Sequence, residues 1–187
     1  TNTIIAGMFQ ERGLFPSERM AGLLASAIVS DTVMFKSPTC TERDRIMAER
    51  MARIAGVSLQ DLGREIFSSS REGKSTEELL RADFKEFHIA GHSFAVSQIT
   101  SVETTDLFDR RTEFLTEMKL MAAENGYEMM LMMLTDVLLD GTWLLFVGDE
   151  EAIRNAFSVQ PREGTVFLPH VMSRKKQVIP SLSALWG

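Results

Sequence analysis

Cysteine is nearly missing from this chain. The single Cys40 excludes an internal disulfide framework and fits a reducing compartment, so a cytoplasmic location is expected. Positive charge is in deficit as well. The 20 Lys and Arg face 26 Asp and Glu, a net charge of −6, which excludes a general nucleic-acid surface. Any anion site must therefore be local. No apolar run reaches membrane-spanning length. The longest, 129–139, is too short and is interrupted by Asp136, so no membrane partner is expected. No secretory signal is visible. The phosphate-loop, G-x-G-x-x-G and G-x-S-x-G patterns are missing too, as are internal repeats.

What is present is an ordinary globular composition, 44% hydrophobic and 25% charged, over 187 residues. That length suits one domain, or a small domain plus a piece of another. The first part reads as helical. Residues 3–12 form a helix stopped by Gly13. Ser17 caps a second helix at 18–29, whose Ala21, Gly22, Ala25, Ser26 and Ala27 allow close packing. Thr41 and Asp44 make a capping pair for a third, with Met47, Met51, Ile54 and Ala55 on one face. Ser58 and Asp61 repeat the arrangement for a helix through Phe67. Residues 69–75, rich in serine and charge and holding Gly73, are the expected linker.

Past the linker the pattern changes. Residues 83–89 alternate like a strand, Ala90, Gly91 and His92 turn the chain, and 94–100 reads as a second strand. A long amphipathic helix is predicted over 106–124, using Leu107, Phe114, Met118 and Met121. The apolar run 127–135 suits a buried central strand. A strand at 143–147, a helix at 149–157, a short strand at 165–168 and a last helix from Pro180 complete the chain. Strands alternating with helices imply an α/β fold: a layered sandwich with a mixed sheet flanked by helices over 76–187, preceded by a mainly helical 1–68.

Few residues in this inventory carry chemistry. His88, His92 and His170 read as surface residues, not a metal set. Asp136 and Asp140 read as turn residues, and Met129, Met130, Met132 and Met133 as core. One stretch stands out, HVMSRKKQVIP at 170–180, where Arg174, Lys175 and Lys176 sit between apolar pairs. Read alone, it is either a solvated basic turn or a phosphate site, because Arg offers a planar fork and Lys a mobile point charge. If the segment is extended, Lys176 points away from its neighbour Lys175. Asp31 is either a helix-end surface residue or a ligand beside a packed core. Lys85 is either an exposed strand lysine or a pocket residue.

The SRKKQ–VIP segment at 173–180 closely resembles the C-terminal motif of the manganese-dependent, family II inorganic pyrophosphatases. These belong to the DHH phosphoesterase superfamily, and the domain bearing this motif is called DHHA2. Two further blocks lie in the family's order. LLASAIVSDTVMFKSPT at 23–39 is similar to the segment that closes the family's metal-binding domain, and DFKEF at 83–87 is similar to its lysine segment. The resemblance implies a hydrolase that splits pyrophosphate into two phosphates by a metal-bound hydroxide. It implies Asp31 as a metal ligand, for Mn²⁺ with Mg²⁺ or Co²⁺ as alternatives, and Lys85, Arg174 and Lys175 as residues that bind pyrophosphate or phosphate. It assigns 1–68 to the tail of the DHH metal-binding domain and 76–187 to DHHA2, and the full-length family admits a homodimer. The family's His-x-x-x-Asp-x-Asp and Asp-His-His motifs are missing here, so the chain is expected to be a C-terminal fragment, inactive alone, with no catalytic residue of its own. A DHHA2-containing exopolyphosphatase and a non-catalytic anion-binding regulatory module are the alternatives.

Overall fold

A computed structural model describes residues 1–68 and 73–187, so most of the expected linker 69–75 lies outside the described residues. The chain divides into two compact units, Thr1–Ser70 and Arg71–Gly187.

The first unit is helical. It contains α1 (Asn2–Glu11), α2 (Glu18–Asp31), α3 (Glu42–Ala55) and α4 (Leu59–Ser68). The capping residues act as their chemistry dictates. Ser17 accepts from the Met20 N–H, and Thr41 and Asp44 form a reciprocal capping box. Gly56 ends α3 in the left-handed conformation. The core is built from Ala21, Leu24, Ala25 and Ile28 of α2 against Met47, Ala48, Met51 and Ala52 of α3. Small side chains on both helices let them approach closely. After α2, Val33, Met34 and Phe35 all take positive φ, at 50°, 49° and 69°. Left-handed backbone disfavours each such residue by about 1–2 kcal/mol, and Val33 is β-branched besides. The turn is held by bonds from the Met34 N–H to Val29 O at 2.9 Å and from the Ser37 N–H to Thr32 O at 2.8 Å.

The second unit is the expected α/β sandwich. Its elements are α5 (Thr76–Arg81), β1 (Phe84–Ile89), β2 (His92–Ser101), α6 (Thr105–Asp109), α7 (Arg111–Asn125), β3 (Met129–Asp136), β4 (Gly141–Val147), α8 (Glu150–Phe157), β5 (Thr165–Pro169), a π-helical turn (Arg174–Val178) and α9 (Ile179–Trp186). The five strands lie in sequence order. Only β2 and β3 are parallel; the other three pairs are antiparallel, so the sheet is mixed. β3 is central and buried along its whole length, which is why it reads as an unbroken apolar run. Alternation along the strands sends Ala95, Ile99, Met130, Met132, Leu134 and Leu145 to one face, where Leu79, Leu80, Phe114, Met118 and Met121 cover them. The other face carries Phe94, Val96, Leu131, Met133, Leu144 and Phe146 under Ile153, Val178 and Leu182. Among the described residues, no helix is long and apolar enough to cross a membrane.

Two expectations are corrected. The helix predicted over 106–124 breaks at Arg110 into α6 and α7. Leu107, Phe114, Met118 and Met121 keep helical spacing across the break, so periodicity could not show it. Contacts with distant segments of the chain hold it: the Phe108 and Trp143 ring centres lie 4.2 Å apart, and Arg110 donates to Thr76 at 2.8 Å. The basic segment is not extended at Lys176. It winds as a π-turn in which the Val178 N–H reaches Ser173 O at 3.3 Å, so strand alternation does not set where Lys176 points.

Candidate anion-binding site

The site begins where β5 ends. His170 takes a positive φ of 60°, turning the chain back over the sheet. Its N–H donates to Asp140 O at 2.7 Å, and its Nδ1 lies 3.0 Å from the Asp140 carboxylate. From there residues 170–174 cross the strands in turn. Thr142 of β4 donates its hydroxyl to Val171 O. Gln98 of β2 donates to Met172 O at 3.2 Å and to the Thr135 hydroxyl of β3 at 3.0 Å. Arg174 then reaches the far edge, donating to Val96 O of β2 at 3.0 Å and to Asp83 O, just before β1, at 2.7 Å. Gln177 clamps the loop from the other side. Its oxygen accepts from the N–H groups of Met172 and Ser173, and its amide donates to His170 O at 2.7 Å. The carbonyls of His170, Val171 and Met172 thus each meet a side-chain donor as the loop crosses the sheet.

The result is a cleft of about 360 Å³ lined by Lys85, Phe87, Gln98, Ser173, Arg174 and Lys175. The three cations that the resemblance implied, Lys85, Arg174 and Lys175, line it, and Lys176 does not. Lys85 and Phe87 share a face of β1 because side chains two apart on a strand do. Phe87 stacks on Phe94 with ring centres 5.4 Å apart, which gives the cleft a rigid apolar wall. Lys85 and Lys175 are exposed, whereas Arg174 is only 7% exposed. Its guanidinium is anchored by the two carbonyls above and by the Asp83 carboxylate at 2.7 Å.

Sequence reasoning missed Asp83, Gln98 and Gln177. Asp83 lay two residues before Lys85, just ahead of the strand, and Gln98 sat among Ser97, Thr100 and Ser101 at the polar end of the next strand. Both were signals of a polar end to β1 and β2. Asp136 is buried at 1% exposure, but its carboxylate accepts from the Thr104 N–H and hydroxyl and from the Leu139 N–H, which makes it a turn-former. His92 is half-buried, stacked on Trp186 at 4.5 Å and paired with Glu128 at 2.8 Å. That pairing and the Ser93 N–H hold the Glu128 carboxyl below the usual range. Cys40 is partly buried, and burial pushes its thiol up and away from nucleophilic reactivity.

Asp31 lies in the first unit, exposed, as the last residue of α2 and directly before the left-handed turn. Among the described residues, no three His, Cys, Asp or Glu side chains gather closely enough to hold a metal ion. Asp31 alone is not a cation centre, and the donors present do not fit one without others.

Fold and site together define an α/β sandwich with a cationic cleft at one edge of its sheet. A family model described as DHHA2 domain matches residues 66–185, most of the chain, and the chain belongs to that family. It is 42% identical over 188 residues to a cobalt-dependent inorganic pyrophosphatase of Clostridium perfringens, matching 99% of this chain and 34% of that protein. It is 39% identical over 189 residues to a manganese-dependent inorganic pyrophosphatase of Methanothrix thermoacetophila, matching 98% and 61%. The crystal structure of a Methanococcus jannaschii protein assigned to the family II inorganic pyrophosphatases superposes with a TM-score of 0.81 at 32% identity, over 99% of this chain and 64% of that one. The chain therefore spans between a third and three-fifths of the length of these curated relatives.

Proposed function

We propose that this chain supplies the pyrophosphate-binding part of a manganese- or cobalt-dependent inorganic pyrophosphatase, which hydrolyses pyrophosphate to two phosphates. The observation that carries this reading is the 42% identity to the cobalt-dependent relative along nearly the whole chain. The shared cleft of Lys85, Arg174 and Lys175 supports it chemically. Phosphoryl transfer spreads negative charge over several oxygens, and fixed cations are what such charge requires. Arg174 would give directional N–H bonds, and the two exposed lysines would close on the ligand as mobile point charges. Residues 76–187 would act as the substrate-binding domain. Asp31 would be one oxygen ligand of the kind that suits Mn²⁺. The remaining ligands would come from outside these residues, and so would the hydrolytic step.

The test pairs two measurements on the purified chain. With Mn²⁺ and pyrophosphate, phosphate release should match the buffer control. Calorimetric titration should nonetheless show pyrophosphate binding that weakens as salt is added. Turnover of about 1–1,000 per second would overturn this division of labour. Equal titration curves for the wild type and a Lys85→Ala, Arg174→Ala, Lys175→Ala triple variant would overturn the cleft as the site. Binding of tripolyphosphate about tenfold tighter than pyrophosphate would move the reading to a polyphosphate enzyme.

A further inference from the structure

A guanidinium carries five N–H donors in one plane. Arg174 directs Nη1 at two carbonyls, Asp83 O and Val96 O, and Nη2 at the Asp83 carboxylate. These bonds use three donors and leave the Nε–H and one Nη2–H. Because the group is planar and rigid, holding three donors fixes the direction of the other two. The holding residue sits beside the cleft lining, two positions before Lys85. Asp83 lies in the turn that leads into β1, and its carboxylate meets the Arg174 guanidinium, which lines the cleft with Lys85. Its carbonyl also accepts from the Gln98 N–H at 3.1 Å, so the anchor is tied into the β1–β2 ladder.

A carboxylate is a poor neighbour for an anion. Asp83 is half-exposed, and its charge opposes any phosphate that approaches Arg174. A cleft tuned by charge alone would do better without it. We propose that Asp83 is a positioning residue for the anion site: its carboxylate and carbonyl orient Arg174 so that the two remaining N–H groups meet phosphate oxygens. This rests on the reading of the cleft as a pyrophosphate site.

Orientation and charge make opposite predictions for one substitution, and this gives the test. The full chain is titrated calorimetrically with pyrophosphate as wild type, Asp83→Asn and Asp83→Ala. Both variants delete the negative charge, so electrostatics alone makes both bind more tightly. Asn keeps a side-chain oxygen that accepts from Nη2, and Ala keeps none. Positioning therefore gives Asp83→Asn binding at least as tight as wild type and Asp83→Ala about tenfold weaker. The second readout is the ¹⁵N–¹H spectrum of the arginine side chains, with the Arg174 signals assigned by their loss in Arg174→Lys. Hindered rotation should keep the Arg174 Nη signals resolved in the wild type and Asp83→Asn, and they should merge in Asp83→Ala. Asp83→Ala binding as tightly as wild type, equal losses in both variants, or resolved Nη signals in Asp83→Ala would each overturn the proposal. Absence of binding by the wild type would overturn the functional reading beneath it.

Discussion

Gln98 Nε2 donates to the Met172 carbonyl at 3.2 Å across 74 residues of chain, and to the Thr135 hydroxyl at 3.0 Å. One amide thus joins β2, β3 and the loop that carries the basic cluster. Gln98→Leu keeps much of the volume and removes the tie. Leaving the Met172 carbonyl without its donor should destabilise the chain by about 1–2 kcal/mol. With the loop loosened, pyrophosphate affinity should fall about three- to tenfold. Urea unfolding and calorimetry read the two effects. A stability loss with unchanged affinity would show that the loop is held in place without Gln98.

Arg174 and Lys175 are adjacent cations with different tasks, and substitution should separate them. An ammonium cannot reach Asp83 O, Val96 O and the Asp83 carboxylate together. Arg174→Lys should therefore cost about 2–4 kcal/mol of stability as well as weaken anion binding. Lys175→Ala removes an exposed side chain and should leave stability within about 0.5 kcal/mol while reducing pyrophosphate affinity about tenfold. Lys176→Ala, outside the cleft lining, should change affinity less than Lys175→Ala. Thermal unfolding and titration of the three variants decide the matter. A Lys175→Ala protein as unstable as Arg174→Lys would contradict it.

Gly148 takes a φ of 103° at the end of β4, and a Cβ there would lie 2.3 Å from Glu128 O and 2.9 Å from Met129 Cα. Those are backbone atoms of the adjoining chain and cannot swing aside. Gly148→Ala should lower stability by about 3 kcal/mol or more. Gly91 has a similar φ of 88° but open space around it, so Gly91→Ala should cost only about 1–2 kcal/mol. Denaturation midpoints of the pair test whether contact or conformation dominates.

Asp44 gives the first unit an acid-sensitive element. Burial opposes its ionisation, but bonds from the Thr3 and Thr41 hydroxyls and the Thr41 N–H outweigh burial and hold its carboxyl below the usual aspartate value. A lowered folded-state pKa stabilises above the unfolded value of about 3.9, and that contribution is lost as pH falls through the folded value. Asp44→Asn should cost about 1 kcal/mol at pH 7 and much less near pH 2. Urea midpoints at the two pH values provide the measurement. Equal losses at both would show that ionisation of Asp44 does not contribute.

Much of the second unit was legible because its signals are local. The alternation of 83–89, the turn at Ala90 and Gly91, and the apolar run of β3 each follow from neighbours in sequence. The capping residues Ser17 and Thr41 were equally readable, since a cap bonds only two or three residues ahead. The break at Arg110 was not readable. It depends on Trp143 and Thr76, which lie on other elements.

The candidate site divides along the same line. The sequence by itself, through its resemblance to the family's motifs in their order, pointed to Lys85, Arg174 and Lys175 as the cations to examine; read alone, their residue types left a solvated turn equally open. Only the tertiary structure decided that they line one cleft, that Arg174 is nearly buried and that Asp83 holds it. Those outcomes rest on hydrogen bonds between residues 78 and 91 positions apart. Such bonds exist only once the loop has crossed the sheet, and no periodicity within a strand or helix encodes where a loop will land.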